Sequence, residues 1–190
     1  MPRYIALLRG INVGGKNLIP KDALKECFEG LGFEDVATYI QSGNVVFGVA
    51  SSRGSDLGRR IEEALSSSFG YRATVVLRSR RQMQDIVARA PEGFGKQAGK
   101  YRYDVVFLKE PLTAAEALKT FPMNEMVDRV SAGPGALYCA RLASKASKSR
   151  ISRVVLLPTY RSMTIRNWKT TTKLLEMMFA PGSSSGSKNF

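Results

Sequence analysis

One hairpin constrains the fold of this chain more than any other feature. In "VATYIQSGNVVF", residues 36–47, two β-rich runs are separated by little more than Ser42-Gly43. So short a connection leaves no room for the helical crossover that parallel strands need, and the two runs must pair antiparallel. Upstream, "YIALLR" (4–9) is a compact apolar run ending in a glycine loop, and reads as a buried strand. Pro20 suits a first helical turn; Ala23, Leu24, Cys27, Phe28 and Leu31 follow at helical spacing, and Gly32 closes the helix. Downstream, Leu57, Ile61, Leu65 and Phe69 mark a second amphipathic helix, and "RATVVLRS" (72–79) is a further strand. The order β-α-β-β-α-β predicts a ferredoxin-like sheet with its helices on one face.

The second half partly repeats this order. Ser79 to Gln82 is a capping-box pattern opening a helix through Met83, Ile86 and Val87, and Thr113 to Glu116 is a second box. Between them lie the glycine-rich "APEGFGKQAGK" and the strand "YRYDVVFL"; "NEMVDRVS" and "ALYCARL" form a hairpin around "AGPG". The predicted class is α+β, with two ferredoxin-like (βαββαβ-type) lobes of antiparallel sheet and a C-terminal helix. The boundaries are 1–79 for the first lobe, 80–178 for the second with its basic segment, and 179–190 for a disordered low-complexity tail. Helical spacing in "TIRNWKTTTKLLEMM" runs through Trp168, Leu174, Leu175 and Met178. The repeat is one of element order, with no residue-level counterpart in the sequence.

Charge bears on partners. The 190 residues carry 29 Lys and Arg against 16 Asp and Glu, a net +13, which points to polyanionic or phosphorylated partners. Residues 129–175 hold ten Lys or Arg and no Asp or Glu, where a solvated helix normally interleaves signs. There is no histidine, which excludes a Ser-His-Asp or Cys-His centre and an imidazole-held zinc. The two cysteines, Cys27 and Cys139, have no metal-ligand spacing, so neither metal nor cofactor is expected. No signal peptide and no membrane-length apolar run are visible, so a cytoplasmic protein without a membrane partner is expected.

"LLRGINVGGKNLIP" (7–20) has Gly10, Gly15 and Lys16 in P-loop register, but Asn17 stands where a magnesium-binding hydroxyl belongs. The following helix starts near Pro20, too late to aim its N-terminus at a phosphate, and a hairpin follows where a P-loop fold has a parallel crossover. The P-loop register is therefore read as coincidence. "YIALLRGINVGGKNLIP", "GFEDVATYIQSGNVVF" and "MTIRNWKT", in that order, resemble the bacterial family called domain of unknown function 1697, over about residues 3 to 178. The resemblance implies a paired ferredoxin-like arrangement. It implies no activity and transfers no catalytic residue; the serine-rich basic stretch 141–153 and the tail depart from the family pattern.

Those motifs leave a polar set rich in amide and cationic donors and without an acid. Arg9, Asn12, Gly15, Lys16 and Asn17 come from the first loop, Gln41, Ser42 and Asn44 from the hairpin, and Arg166 and Asn167 from the last motif. Such groups suit an anion or a nucleobase edge better than acid–base chemistry. Each also has a plain structural use: glycines for positive φ, Ser42-Gly43-Asn44 as a turn, Asn167 as a helix cap, Arg166 in a buried ion pair. Lys145, Lys148, Arg150 and Arg153 are the nucleic-acid candidates, and Tyr39, Phe47, Tyr101 and Tyr103 are strand aromatics of the kind RNA-binding sheets expose. Phe47 fits a core better. The expected function is binding of a phosphorylated or anionic ligand, nucleic acid or nucleotide, through the glycine loop and basic face. The alternative is an enzyme acting on a small anionic metabolite, for which only Asp104 or Tyr39 could be nominated as base.

Overall fold

The computed structural model describes residues 1–11, 18–39, 43–50 and 56–180. The first sheet contains β1 (Arg3–Arg9), β2 (Glu34–Tyr39), β3 (Asn44–Gly48) and β4 (Thr74–Ser79) in the order β2-β3-β1-β4, with helices α1 (Lys21–Gly30) and α2 (Leu57–Phe69). Every neighbouring pair is antiparallel, as the hairpin required. Alternation along β1 divides its side chains between two cores. Ala6 and Leu8 face α1 and α2, whereas Ile5 and Leu7 face the second lobe.

The second sheet has the same topology: β5 (Tyr101–Leu108), β6 (Asp128–Gly133), β7 (Ala136–Leu142) and β8 (Met163–Asn167) in the order β6-β7-β5-β8. Its first helix is α4 (Ala114–Thr120). The place of its second helix is taken by three 3-10 turns, Ala143–Lys148, Ile151–Leu156 and Pro158–Ser162. These turns are the serine-rich basic stretch and the residues after it. Ile151 and Val154 anchor them in the core beneath α4, while the cations between point outward.

Two helices lie between the sheets: α3 (Arg80–Ala88), which follows β4 directly, and α5 (Trp168–Met177), which follows β8 directly. Met83 and Ile86 of α3 and Leu174 of α5 are fully buried there with Ile5, Val105 and Tyr138. Each such side chain contributes about 1.5–3 kcal/mol of burial. Both predicted capping boxes form. Gln82 N donates to Ser79 Oγ at 3.2 Å while Ser79 N donates to Gln82 Oε1 at 2.8 Å, and Thr113 and Glu116 bond in the same reciprocal way. Asn167 caps α5, its Oδ1 accepting from Thr170 N at 2.7 Å.

One local expectation changes. Residues 163–167, whose last four open the stretch read for helical spacing, form an edge strand; Met163, Thr164, Ile165 and Arg166 alternate apolar and polar, too short a run to stand out beside the helix that follows. At the start of the expected tail, Phe179 N and Ala180 N still donate to Glu176 O, at 3.0 and 3.3 Å. Residues 181–190 lie outside the described set.

Candidate functional site

Arg166 stands on β8, and its guanidinium crosses to the first lobe. Nη2 donates to Leu8 O at 2.8 Å and to Gly43 O at 3.3 Å, and Nε donates to Asn44 Oδ1 at 2.5 Å. Nη1 donates to Thr164 Oγ1 and Ile165 O, both at 2.8 Å. A guanidinium has five N–H donors, and these bonds engage all five with neutral oxygens of the protein. The side chain is 8% exposed, and burial brings its pKa down to about 10. The three motifs singled out in the sequence therefore meet here, through the Leu8 carbonyl, the hairpin and the "TIRN" strand.

Asn44 is oriented by the same knot, its Nδ2 donating to Tyr39 O at 3.0 Å. Gly43 has φ +71°, and a Cβ there would stand 2.7 Å from the Ile11 side chain and 2.9 Å from Leu8 Cβ. Only glycine allows β3 to start so close to β1.

The knot has a twin. Arg78 on β4 pairs with Ile5 of β1, and Arg166 on β8 pairs with Val105 of β5. Three residues beyond those partners are Leu8 and Leu108, and each amide donates to a glycine carbonyl: Leu8 N to Gly43 O at 2.8 Å, Leu108 N to Gly135 O at 3.1 Å. Arg78 then does in the opposite direction what Arg166 does. Its Nη2 donates to Leu108 O at 2.5 Å and Gly135 O at 2.8 Å, and its Nη1 to Leu77 O at 2.7 Å. The lobes are thus clamped reciprocally by a residue-level repeat of Leu, Gly and Arg, which the sequence reading missed.

The two ends differ beside the clamps. At the Arg78 end, Lys109 at the close of β5 forms an ion pair with Glu62 of α2, which also accepts from Val75 N at 2.7 Å. At the Arg166 end, Arg9 at the close of β1 lies over the ring of Tyr160, 4.6 Å from its centroid. Its Nε is buried and has no hydrogen-bond partner among the described residues. Tyr160 belongs to the third 3-10 turn, so this contact joins the root of the glycine loop to the segment that carries the basic run.

Lys145, Lys148, Arg150 and Arg153 are all exposed, and none forms an ion pair among the described residues. The backbone beneath them is fixed. Asp128 Oδ2 accepts from Arg150 N and from Asn124 N, both at 2.9 Å, and Asn124 Nδ2 donates to Lys148 O at 3.0 Å. Asp128 and Tyr160 position this face, and sequence reasoning found neither. Asp128 read as one polar residue of a hairpin strand, and Tyr160 lay in a stretch without periodicity.

The other expectations divide by place. Asn12, Gly15, Lys16, Asn17, Gln41 and Ser42 lie outside the described residues. Asn167 serves as the cap of α5, Phe47 is core, and Arg166 is bonded as a lobe clamp. Of the nominated bases, Asp104 is bonded to Arg141 at 3.2 Å; burial raises its carboxyl and the Arg141 and Arg102 charges oppose that. Tyr39 lends its carbonyl to Asn44. Among the described residues there is no cluster of three metal-ligating side chains and no helix long and apolar enough to cross a membrane.

Residues 1–138 match the model of a family described as "Protein of unknown function (DUF1697)". No curated protein matches the chain. Among solved structures it is similar to the conserved bacterial protein SP0830 from Streptococcus pneumoniae, at 27% identity and a TM-score of 0.81, over 93% of this chain and 98% of that one. The neighbour spans both lobes and shares their fold.

Proposed function

The chain belongs to the DUF1697 family, and from that membership, which carries no activity, we propose that it binds phosphorylated polyanions, nucleic acid foremost, in the cytoplasm. The observation that carries this reading is the pinned basic face. Four exposed cations in and between the turns Ala143–Lys148 and Ile151–Leu156 have no carboxylate partner among the described residues, on a backbone held by Asp128. Arg9 on Tyr160 extends that face to the root of the glycine loop. Unneutralised cations on a rigid surface bind phosphates by releasing condensed counterions, which gives affinity with little sequence preference. Lys16, Asn12 and Asn17 of the glycine loop would add donors to the same ligand.

The test is fluorescence anisotropy with labelled single-stranded RNA and DNA across a salt series. Four phosphate contacts give a log–log salt slope of about −3 for a single strand. Replacing Lys145 and Lys148 by Glu should weaken binding and flatten the slope by about 1.4. Absence of binding at low salt would refute the proposal.

A further inference from the structure

The first three residues of β5 extend past the edge strand, because β8 pairs with β5 only from Asp104 onward. Beside that end of β5, across its face and those of β7 and β6, lies a cleft of about 510 Å³, within the range of small-molecule sites. Phe94, Lys100, Tyr101, Tyr103, Arg129 and Ser131 line it, with Glu92 as its one carboxylate. The roof, residues 91–100, is held by its own turns and by Gly95, which has φ +83° and packs so closely on Trp168 that a Cβ would collide with the indole. Phe94 is thereby fixed edge-on to Tyr103 at 4.8 Å, to Tyr138 at 5.5 Å and to Trp168 at 5.1 Å.

Core packing explains Phe94, Tyr138 and Trp168. It does not explain Tyr101, half-buried at the mouth, its ring centroid 6.0 Å from that of Tyr103 and 5.6 Å from Lys100 Nζ. Lys100 and Arg129 are exposed on the rim. A preformed cleft with aromatic surface inside and cations outside matches a ligand with a flat ring at one end and negative charge at the other. Its neighbour selects among such ligands. Ala143 N donates to Lys100 O at 2.9 Å, so the rim adjoins the turn that carries Lys145 and Lys148.

We propose that this cleft takes one base of a single-stranded nucleic acid, stacked on Tyr101 and Tyr103, with the adjoining phosphates on Lys100 and Arg129 and the strand continuing over the Ala143–Lys148 turn. The inference rests on the polyanion reading above and adds base recognition to it. Aromatic platforms on ferredoxin-like sheets bind bases with little discrimination, because every base offers a π-face.

The experiment compares three probes on the full chain: a single-stranded oligonucleotide, an abasic sugar–phosphate oligomer of equal length, and a free mononucleotide. The wild type should bind the oligonucleotide about 5- to 150-fold more tightly than the abasic oligomer, the range expected for one stacked base. Tyr101→Ala should erase that difference while leaving abasic binding unchanged, and Tyr101→Phe should retain it. Arg129→Ala, on an exposed rim position, should weaken both oligomers with an unaltered melting temperature. Equal wild-type affinity for the two oligomers overturns the base pocket and leaves the polyanion reading standing; binding of neither overturns both. A mononucleotide that binds as tightly as the strand overturns the strand as occupant in favour of a free nucleotide.

Discussion

The molecule carries the same clamp twice, and its two copies have diverged in charge. At one end Arg78 holds Leu108 and Gly135, and the neighbouring cation Lys109 is neutralised by Glu62. At the other end Arg166 holds Leu8 and Gly43 and gains two side-chain acceptors, Asn44 and Thr164, while the neighbouring cation Arg9 rests on an aromatic ring. The difference follows from what fills the second-helix position of each lobe. In the first lobe α2 supplies a carboxylate; in the second, 3-10 turns supply Tyr160 and exposed cations. Joining the lobes needs the clamp, which both ends have. It does not need an acid-free cationic face, which only one end has.

The largest effect should come from breaking the more elaborate clamp. Arg166→Ala takes the buried guanidinium away from Leu8 O, Asn44 Oδ1 and Gly43 O, the last of which keeps the Leu8 amide, at a cost of about 3–5 kcal/mol. For a chain of this size that lowers the melting temperature by roughly 6–20 °C. Arg166→Lys should recover little, since an ammonium cannot reach five divergent acceptors. Arg78→Ala, which removes three bonds where Arg166 has five, should cost less, about 2–3 kcal/mol by the same melts; equal losses would mean that the extra acceptors at Arg166 contribute nothing. Smaller still is Glu62→Gln, which leaves Lys109 without its carboxylate and should cost about 1 kcal/mol or less in denaturant titration. Arg9→Ala, which removes a half-buried cation–π contact, should change stability by about 1 kcal/mol, yet weaken oligonucleotide binding where Glu62→Gln does not.

The smallest effect concerns pH. Burial raises the Asp104 carboxyl above its ordinary value, so the folded protein keeps that proton to higher pH than the unfolded chain. Its contribution is present below the ordinary carboxylate range and is lost as pH rises through the raised value. The stability of Asp104→Asn relative to wild type should therefore improve as pH rises from the ordinary carboxylate range through the raised value. A difference that stays flat over that range would show that the Arg141 pair fully offsets burial.

Much of the fold was legible because it rests on local signals. The hairpin between Tyr39 and Asn44, the Ser79 and Thr113 boxes and the Asn167 cap all use partners within a few residues. What stayed hidden depends on backbone carbonyls and on partners far away in the chain. Arg166 meets Leu8 O across 158 residues and Arg78 meets Gly135 O across 57, and a carbonyl acceptor has no sequence signature. The repeat was masked for the same reason, since Leu8, Gly43 and Arg78 are spaced differently from Leu108, Gly135 and Arg166. The root of the glycine loop, the hairpin and the "TIRN" strand meet in a bonded knot at Arg166, beside Arg9 on Tyr160 and the exposed cations of the basic turns.

Hydrogen exchange with and without a saturating single-stranded oligonucleotide would test most directly whether only one end of the molecule faces a ligand. The account predicts slowed exchange at 143–162 and at the close of β1, with 56–62 and 109–112 unchanged. Protection centred on the Lys109–Glu62 end, or none anywhere at saturation, would contradict it.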